Sequence, residues 1–401
     1  MTFQAIDRRE PSAIPSLFSY GFRPFFLLAG LSAVCFLGTW LAILQGGGWP
    51  SERLSPISWH GHEMLFGFVG ATVAGFMLTA IPSWTGVRPV RGWPLVALAA
   101  LWIAGRAASS PHLAPSIAGA VIDLAFFPAL GMAVALPLIR AGKARNTAFL
   151  VLLALLFAAN LLFHLEWLGV AEATSGHGIA LAVGVVLMMI TVIGGRIVPA
   201  FTRNSLHARF PDLDISTPAW LERLVIAATV LMIPADLLWP DSRIAGGIAL
   251  VAALAHAARL LHWHGARTLD RPILWILHLA YGWIIVGLTL KALYMLGGVW
   301  AASAWLHALT VGAFSTMILA VMTRAALGHS GRPLVAAPPT VAAYVLLILA
   351  GLTRIAVPVL PGSLFHIAVG AAGFLWIGAF LLFLWVYVPI LTRSRADGQP
   401  G

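Results

Sequence analysis

Several histidines and one acid, Glu63, lie where apolar segments of the chain begin or end. The stretch SWHGHEMLFGFVGATVAGFMLTAIPSW, residues 58–84, carries His60, His62 and Glu63 directly before a run of apolar and small residues. Neutral imidazole ligates copper, iron and zinc, and a carboxylate can fix a ligating imidazole by accepting its second N–H. We therefore predict a metal or heme site at the start of this segment.

The two histidines of this stretch cannot face the same way on one helix. Helical residues follow each other at about 100°, so His60 and His62 would point about 200° apart. Either one ligates while the other supports it, or the helix begins only after His60. Glu63 either accepts a hydrogen bond from a ligating imidazole or is simply an acid in the first helical turn.

Further histidines lie at the same predicted level of the molecule. They are His112, His164, His177, His307 and His366. His164 follows Asn160 by four residues, which places both on one helix face. A single histidine at this level is typical of the membrane headgroup region, but the whole set beside Glu63 favours a site. His256 and His278 form a second group. We interpret these two as core histidines with hydrogen-bond partners, with a second bis-histidine site as the alternative.

Asp123 is predicted to lie inside an apolar segment. An ionisable group within the membrane is a candidate functional residue by default. The competing interpretation is a structural ion pair with Arg106, which ends the preceding segment.

The elements that position these residues are predicted to be membrane helices. The chain is 60% hydrophobic and only 9% charged, with a mean hydropathy of +0.92, whereas soluble domains average about 25% charged residues. Long apolar runs without strand-like alternation indicate helices. The fold class expected is an all-α polytopic membrane protein with about twelve transmembrane helices.

The predicted spans follow each other with short connections, so residues 1–401 are expected to form one helical bundle. The spans cover residues 22–44, 60–81, 93–109, 114–139, 146–168, 177–198, 218–238, 243–262, 271–296, 304–326, 337–358 and 363–391. Residues 1–21 and 392–401 are expected to be cytoplasmic tails. The spans 60–81, 177–198 and 304–326 open near His62, His177 and His307, which indicates three four-helix repeats.

The net charge of +10 reflects topology and gives no indication of nucleic-acid binding. Of the 24 Lys and Arg residues, only Arg53, Arg106, Arg243, Lys291 and Arg354 fall near the histidine level. The others fall at the opposite ends of the spans, and such a bias marks the cytoplasmic side. Four of them, Arg23, Arg196, Arg203 and Arg324, are expected to pack the bundle or to bind anionic membrane lipid. Lys291 and Arg354 are expected to reach the opposite surface.

Four motifs in a fixed order resemble the NnrS family. They are GFRPFFLLAG (21–30), WHGHEMLFGFVGA (59–71), GGRIVPAFTRN (194–204) and HALTVGAFSTMILAVMTRAALGHSGRP (307–333). The resemblance covers nearly the whole chain. It implies a bacterial inner-membrane protein that contains heme and copper and protects against nitrosative stress.

The histidines of the three repeats are also similar to those of heme–copper oxidases and nitric oxide reductases. That similarity implies His62 and His307 as heme ligands and His177 as a copper ligand. The span 218–238 lacks the adjacent histidine pair of that superfamily, and the span 304–326 has one histidine instead of two. We therefore expect one heme and a rearranged copper site whose ligands come from His60, His164, His177 and His366. The heme is expected to be of the b type, because the sequence has no C-x-x-C-H motif for covalent attachment.

Nitric oxide is the ligand that this resemblance implies. Reducing two molecules to nitrous oxide takes two electrons and two protons. The electrons are expected to come from a quinol or a cytochrome, and the protons to travel along a route through Glu63 and Asp123. A protein that binds or senses nitric oxide without turnover is the alternative, as is a transporter, which would place polar groups near the middle of the membrane. The sequence leaves reduction and sequestration open.

Overall fold

The computed structural model of the chain describes residues 15–51, 55–141 and 144–399, where it forms twelve helices and no strand. The helices are α1 (Phe22–Leu44), α2 (Pro56–Thr85), α3 (Trp93–Ala108), α4 (Ile117–Arg140), α5 (Ala144–Trp167), α6 (Thr174–Leu206), α7 (Ala219–Leu238), α8 (Arg243–Leu261), α9 (Pro272–Gly297), α10 (Ala302–His329), α11 (Pro338–Ala356) and α12 (Phe365–Thr392). Most of the predicted N-terminal tail, with Arg8 and Arg9, lies outside the described residues, as do Arg53 and Lys143.

Ten of these helices are long and apolar enough to cross a membrane. The prediction of an all-α polytopic membrane protein is therefore confirmed. The other two, α3 and α7, lie where spans were predicted, but α3 is only 16 residues long and α7 carries three charged residues. Each predicted span thus corresponds to a helix in the described part of the chain.

The start of α2 decides how its histidines are presented. Ser55 caps the helix by accepting a hydrogen bond from the Ser58 N–H, and Pro56 occupies the first turn, where its fixed φ suits a helix and its missing N–H costs nothing. The helix therefore begins before His60. Both His60 and His62 are helical and point to different sides of α2.

The two ends of the bundle differ in composition. We call the end where α1 stops and α2 begins the histidine-rich end, and the opposite end the arginine-rich end. At the arginine-rich end, α1 packs along α12. The buried Arg23 donates to the carbonyls of Leu391 and Arg393, 2.9 and 2.6 Å away. Because the last carbonyls of a helix lack partners within it, Arg23 stabilises the end of α12.

The other three arginines expected at this end also contact protein groups. Arg203 donates to the Ile215 carbonyl at 2.6 Å. The guanidinium of Arg324 lies 4.0 Å from the ring centre of Phe201, and that of Arg196 lies 5.9 Å from the ring centre of Phe149. These contacts agree with a packing role, and lipid binding at these arginines stays a prediction.

Two of the charges on α7 are paired with basic residues of neighbouring helices. Glu222 forms an ion pair with Arg259 of α8, and Asp236 forms one with Lys291 of α9. Lys291 is 1% exposed, so the expectation that it reaches the surface is wrong. Pairing with an acid on a neighbouring helix removes the need for its ammonium group to reach water.

Arg259 is held against the backbone of α6 at a glycine. Its guanidinium donates to the Thr191 carbonyl at 2.9 Å and to the Tyr281 hydroxyl at 3.0 Å. A Cβ atom on Gly195 would lie 1.8 Å from the Arg259 Nη2 atom. Gly195, in the GGRIVPAFTRN motif, thus leaves room for the Arg259 guanidinium, which contacts residues of α6, α7 and α9.

Replacing Gly195 with alanine is expected to destabilise the protein, although alanine favours a helix by about 1 kcal/mol. The added methyl group would displace the buried Arg259 from Glu222, whose side chain is 31% exposed, so the loss is expected to be smaller than the about 3–5 kcal/mol of a fully buried pair. Thermal unfolding in detergent measures the effect. Gly247→Ala on α8 is the control, since nothing lies within 4 Å of its added Cβ. Equal unfolding temperatures for the two variants would contradict the prediction.

Candidate functional site

An apolar cavity opens among six helices at the histidine-rich end. Its cavity volume is about 170 Å³, which is below the roughly 300–1,000 Å³ of small-molecule sites, and it is partly open to the outside. Its walls come from α1, α2, α6, α10, α11 and α12 and include the aromatic rings of Trp40, Phe68, Phe314 and Trp376. Its polar lining residues are His60, His307, Thr310, Ser315 and Arg354. Such a lining suits a flat apolar ligand with a few polar attachment points.

His307 presents one free ring nitrogen in this cavity wall. Its Nδ1–H donates to the Ser303 carbonyl one turn earlier on α10, at 2.7 Å. Because a carbonyl only accepts, Nδ1 carries the proton and the lone pair is on Nε2. A backbone carbonyl that holds the second N–H is the usual companion of a metal-ligating imidazole.

His60 lines the same cavity from α2. Its ring stacks on Trp40 of α1, with the ring centres 4.6 Å apart and the planes at 17°. The Nδ1 atom of His60 is buried and has no hydrogen-bond partner. A buried ring nitrogen without a partner costs free energy that a bound group can recover. His60 and His307 are thus two imidazoles from different helices in the lining of one cavity.

The hydroxyl groups of the cavity wall are occupied within their own helix. Thr310 donates to the Leu306 carbonyl at 2.9 Å, and Ser315 donates to the Thr310 carbonyl at 2.9 Å. Arg354 differs, since its Nη1 atom is buried and has no hydrogen-bond partner. The groups of the lining that are buried without a hydrogen-bond partner are therefore the His60 imidazole, the Arg354 guanidinium and the Trp376 indole N–H.

Both histidine helices of the cavity widen into a π-helical segment. In α2 the segment spans Glu63–Val69, and in α10 it spans Ala308–Ser315. Each begins within three residues of a cavity histidine. Such segments inside α-helices occur frequently at functional sites. This shared feature supports the predicted repeat for α2 and α10, whereas α6 is α-helical throughout.

Close packing around one tryptophan fixes α10 and α11 next to the cavity. A Cβ atom on Gly312 would lie 2.6 Å from the ring of Trp283 on α9, and one on Gly351 would lie 3.1 Å from it. The indole therefore fills the space that these glycines leave. His307 lies one and a half turns before Gly312, and Arg354 one turn after Gly351, so the packing sets the position of both.

A second polar group, the buried ion network, lies on another face of α2 and contains Glu63, His62, Arg106, Asp123, Asn160 and His164. Arg106 of α3 donates to Glu63 Oε1 at 3.0 Å and to Asp123 Oδ1. Asn160 Nδ2 and His164 Nε2 of α5 donate to Asp123 Oδ2 at 2.9 and 2.8 Å. The predicted pair of Asp123 and Arg106 is present, within a network that joins four helices.

His62 lies at the centre of this network. Its Nδ1 is 2.9 Å from Glu63 Oε1, and its Nε2 is 2.8 Å from Asn160 Oδ1 and 3.2 Å from Asp123 Oδ2. Since both ring nitrogens face oxygen acceptors, His62 donates through both, as only the imidazolium does. Two cations, Arg106 and His62, then balance two carboxylates, Glu63 and Asp123. The charges of these four groups then sum to zero, while Glu63 Oε2 and Arg106 Nε are buried without a hydrogen-bond partner.

The structure separates the residues that the sequence marked as one site. His60 and His307 share the cavity, whereas His62 and His164 belong to the buried ion network. His177 and His366 are exposed at the starts of α6 and α12. Within the described ranges, the one group of three residues that could hold a metal ion is His62, Asp123 and His164, whose ligand atoms lie within 4.8 Å of one another.

The roles predicted for these residues stay predictions, and two features of the site were missed. One is the pairing of His60 with His307. The signal was present, because Ile57, His60, Gly61, Met64, Leu65 and Phe68 form one apolar face of α2 at helical spacing. The other is the place of Arg354 in the cavity wall, for which the sequence carries no signal.

The second histidine group has hydrogen-bond partners in the bundle. His256 contacts the Tyr281 hydroxyl at 2.7 Å and Thr229 at 3.1 Å, and His278 contacts Thr202 at 2.9 Å. These contacts agree with the interpretation of both as core histidines.

Comparison with known proteins agrees with the motifs read from the sequence. The profile of one family, described as NnrS protein, matches residues 16–395, which is nearly the whole chain. No curated protein matches the chain. The match includes both cavity histidines, Arg354 and every member of the buried ion network, and it shows that the chain belongs to the NnrS family.

Proposed function

We propose that this protein binds heme b in the apolar cavity, where His60 and His307 would hold the iron, and that it uses the heme to bind nitric oxide. The observation that carries the proposal is the placement of two imidazoles with available ring nitrogens in the wall of one cavity. Membership of a family tied to the nitric oxide response supports nitric oxide as the ligand of the heme.

The residues present fit a b-type heme. Imidazoles from two facing helices can ligate heme iron without covalent attachment. The rings of Trp40, Phe68, Phe314 and Trp376 offer an apolar surface for a porphyrin, and Arg354 offers a cation at one edge. When bound, the heme iron would supply the site at which a diatomic ligand coordinates.

The apolar surroundings of the cavity would admit nitric oxide to the site. Nitric oxide is small, neutral and soluble in lipid, and the cavity lies among helices whose outer faces are apolar. Entry therefore needs no polar channel. We place the protein in the bacterial inner membrane with the arginine-rich end in the cytoplasm, because the basic residues collect there. The cavity would then face the periplasmic half of the membrane.

Copper is the second cofactor that the family implies, and the described residues fit it poorly. The one group with suitable ligands is His62, Asp123 and His164. An ion there would need His62 to give up a proton, because an imidazolium has no lone pair for a metal. The ion would also lie beside the guanidinium of Arg106. We therefore assign no step to copper.

The positions of the acidic residues bear on whether the protein reduces nitric oxide or only binds it. Glu63 and Asp123, the acids predicted to carry protons, lie in the buried ion network, and no acidic residue lines the cavity. This arrangement favours binding of nitric oxide over its reduction. A quinol or cytochrome that donates electrons remains part of the reductase alternative. The transporter alternative would require a polar path, whereas the deep walls of the cavity are apolar.

The purified protein is expected to show a Soret band that shifts when nitric oxide is added to the reduced form. Metal analysis of the same sample gives the ratios of iron and copper to protein, and gas analysis with a quinol as reductant detects nitrous oxide. A spectrum without heme after expression with ample heme supply would contradict the proposal. Nitrous oxide formation at many turnovers would establish the reductase.

A further inference from the structure

Arg354 is a cation in the cavity wall without an acidic partner there. It lies near the end of α11 at the histidine-rich end, and it lines the cavity together with His60 and His307. Its Nη1 atom is buried and has no hydrogen-bond partner. No Asp or Glu residue lines the cavity. The bound group is therefore the available source of a negative charge for this guanidinium.

The two histidines and the arginine of the cavity lining lie at one end of the cavity, and aromatic rings line the other end. His60, His307 and Arg354 lie within the first or last turns of their helices, at the histidine-rich end. Phe314 lies two turns deeper than His307 on α10, and Trp376 lies three turns into α12. Arg354 is half-buried, and its buried Nη1 atom without a partner would gain from an acid group. The apolar wall gains from contact with an apolar surface. This distribution of charged and apolar residues suits an amphipathic ligand that carries acid groups on one edge.

We propose that Arg354 binds a carboxylate of the cavity ligand and so turns the carboxylate edge of that ligand toward the histidine-rich end. This rests on the proposed function, in which the ligand is heme b, a porphyrin with two propionates on one edge. A guanidinium is suited to this role because its planar donors match both oxygens of a carboxylate. Arg354 is thus a positioning residue, and His60 and His307 hold the iron.

The test compares iron protoporphyrin IX with its dimethyl ester, which keeps the ring and the iron but has no carboxylates. The full chain, purified in detergent without heme, is titrated with each compound. Quenching of tryptophan fluorescence reports binding independently of the Soret band, because Trp40 and Trp376 line the cavity. We expect the free acid to bind about tenfold to a hundredfold more tightly than the ester.

The variants assign this preference to one residue. Arg354→Gln is expected to bind the free acid as weakly as the ester, and Arg354→Lys to keep part of the preference. Arg243→Gln is the matched control, since Arg243 is exposed at the same end and does not line the cavity. It is expected to behave as the unmodified protein. Circular dichroism and the unfolding temperature show whether each variant folds.

The outcomes separate this inference from the proposed function. If both compounds bind equally to the unmodified protein with a heme spectrum, the role of Arg354 is overturned and the heme site stands. This comparison needs no variant, so a misfolded Arg354→Gln does not weaken it. If the preference exists but Arg354→Gln keeps it, the carboxylate binds elsewhere and the inference is overturned. If neither compound binds, the heme site and the role of Arg354 both fail.

Discussion

Replacing His307 with glycine is expected to remove the Soret band of the purified protein or to convert it to that of a five-coordinate heme. His307 offers Nε2 to the cavity because its Nδ1 is committed to the Ser303 carbonyl. Without this imidazole, the heme keeps at most the ligand from His60. Absorption spectra of the oxidised and reduced forms, normalised to protein concentration, measure the change.

Addition of imidazole separates ligation from folding in this experiment. Free imidazole can enter the space that the side chain leaves and ligate the iron, so it is expected to restore the six-coordinate spectrum of His307→Gly. His60→Gly should behave in the same way. His177→Ala is the control, because His177 also lies at the start of a helix at the histidine-rich end but is exposed. An unchanged spectrum in both glycine variants would exclude the cavity pair.

The same spectra decide between the cavity pair and the ligands predicted from the sequence. The sequence prediction makes His62 the partner of His307, so His62→Ala would lose the heme and His60→Gly would keep it. The cavity pair predicts the reverse, with His62→Ala lowering stability because it breaks the buried ion network. Loss of heme in His256→Ala or His278→Ala would place the heme at the opposite half of the bundle.

The sequence predicts the helices well because ten of the twelve spans are long apolar runs, and burial of such runs in lipid needs no tertiary information. The divergence of His60 and His62 was also predictable from helical geometry. Which of them meets α10 was harder to predict, because it depends on the face of α2 that packs there. Glu63 indicates which face of α2 packs against α3, because a buried acid requires a cation and Arg106 of α3 provides one.

The surroundings of two basic residues, Lys291 and Arg354, could not be predicted from the sequence. Lys291 and Arg354 both lie near helix ends, where a long side chain usually reaches the membrane surface. Lys291 instead pairs with Asp236 of α7, which precedes it by 55 residues. Arg354 lines a cavity that exists only because six helices leave it open. Neither outcome follows from local spacing, because each depends on partners brought together by packing.

Replacing Asp123 with asparagine is expected to destabilise the protein strongly. The carboxylate of Asp123 accepts hydrogen bonds from Arg106, Asn160 and His164. The asparagine would keep the size of the side chain but leave the buried ion network with two cations and one carboxylate. An uncompensated buried charge costs about 3–5 kcal/mol. Thermal and chemical unfolding in detergent measure the loss.

Asp270→Asn is the control for this substitution. Asp270 also pairs with an arginine, Arg209, but both side chains are 53% exposed. Exposed pairs contribute about 0–1 kcal/mol, since water screens the charges. The control is therefore expected to unfold close to the unmodified protein, and an equal loss in both variants would contradict the buried ion network as a source of stability.

A double variant distinguishes charge balance from metal binding at the same residues. Arg106→Leu with Asp123→Leu removes one cation and one carboxylate, and it leaves His62 balanced by Glu63. Replacing a buried pair with apolar groups is often close to neutral, so the double variant is expected to be more stable than Asp123→Asn. If His62, Asp123 and His164 instead hold copper, Asp123→Leu removes a ligand and its loss cannot be recovered. In that case the unmodified protein would lose copper and stability on chelation, and the double variant would stay as unstable as the single one.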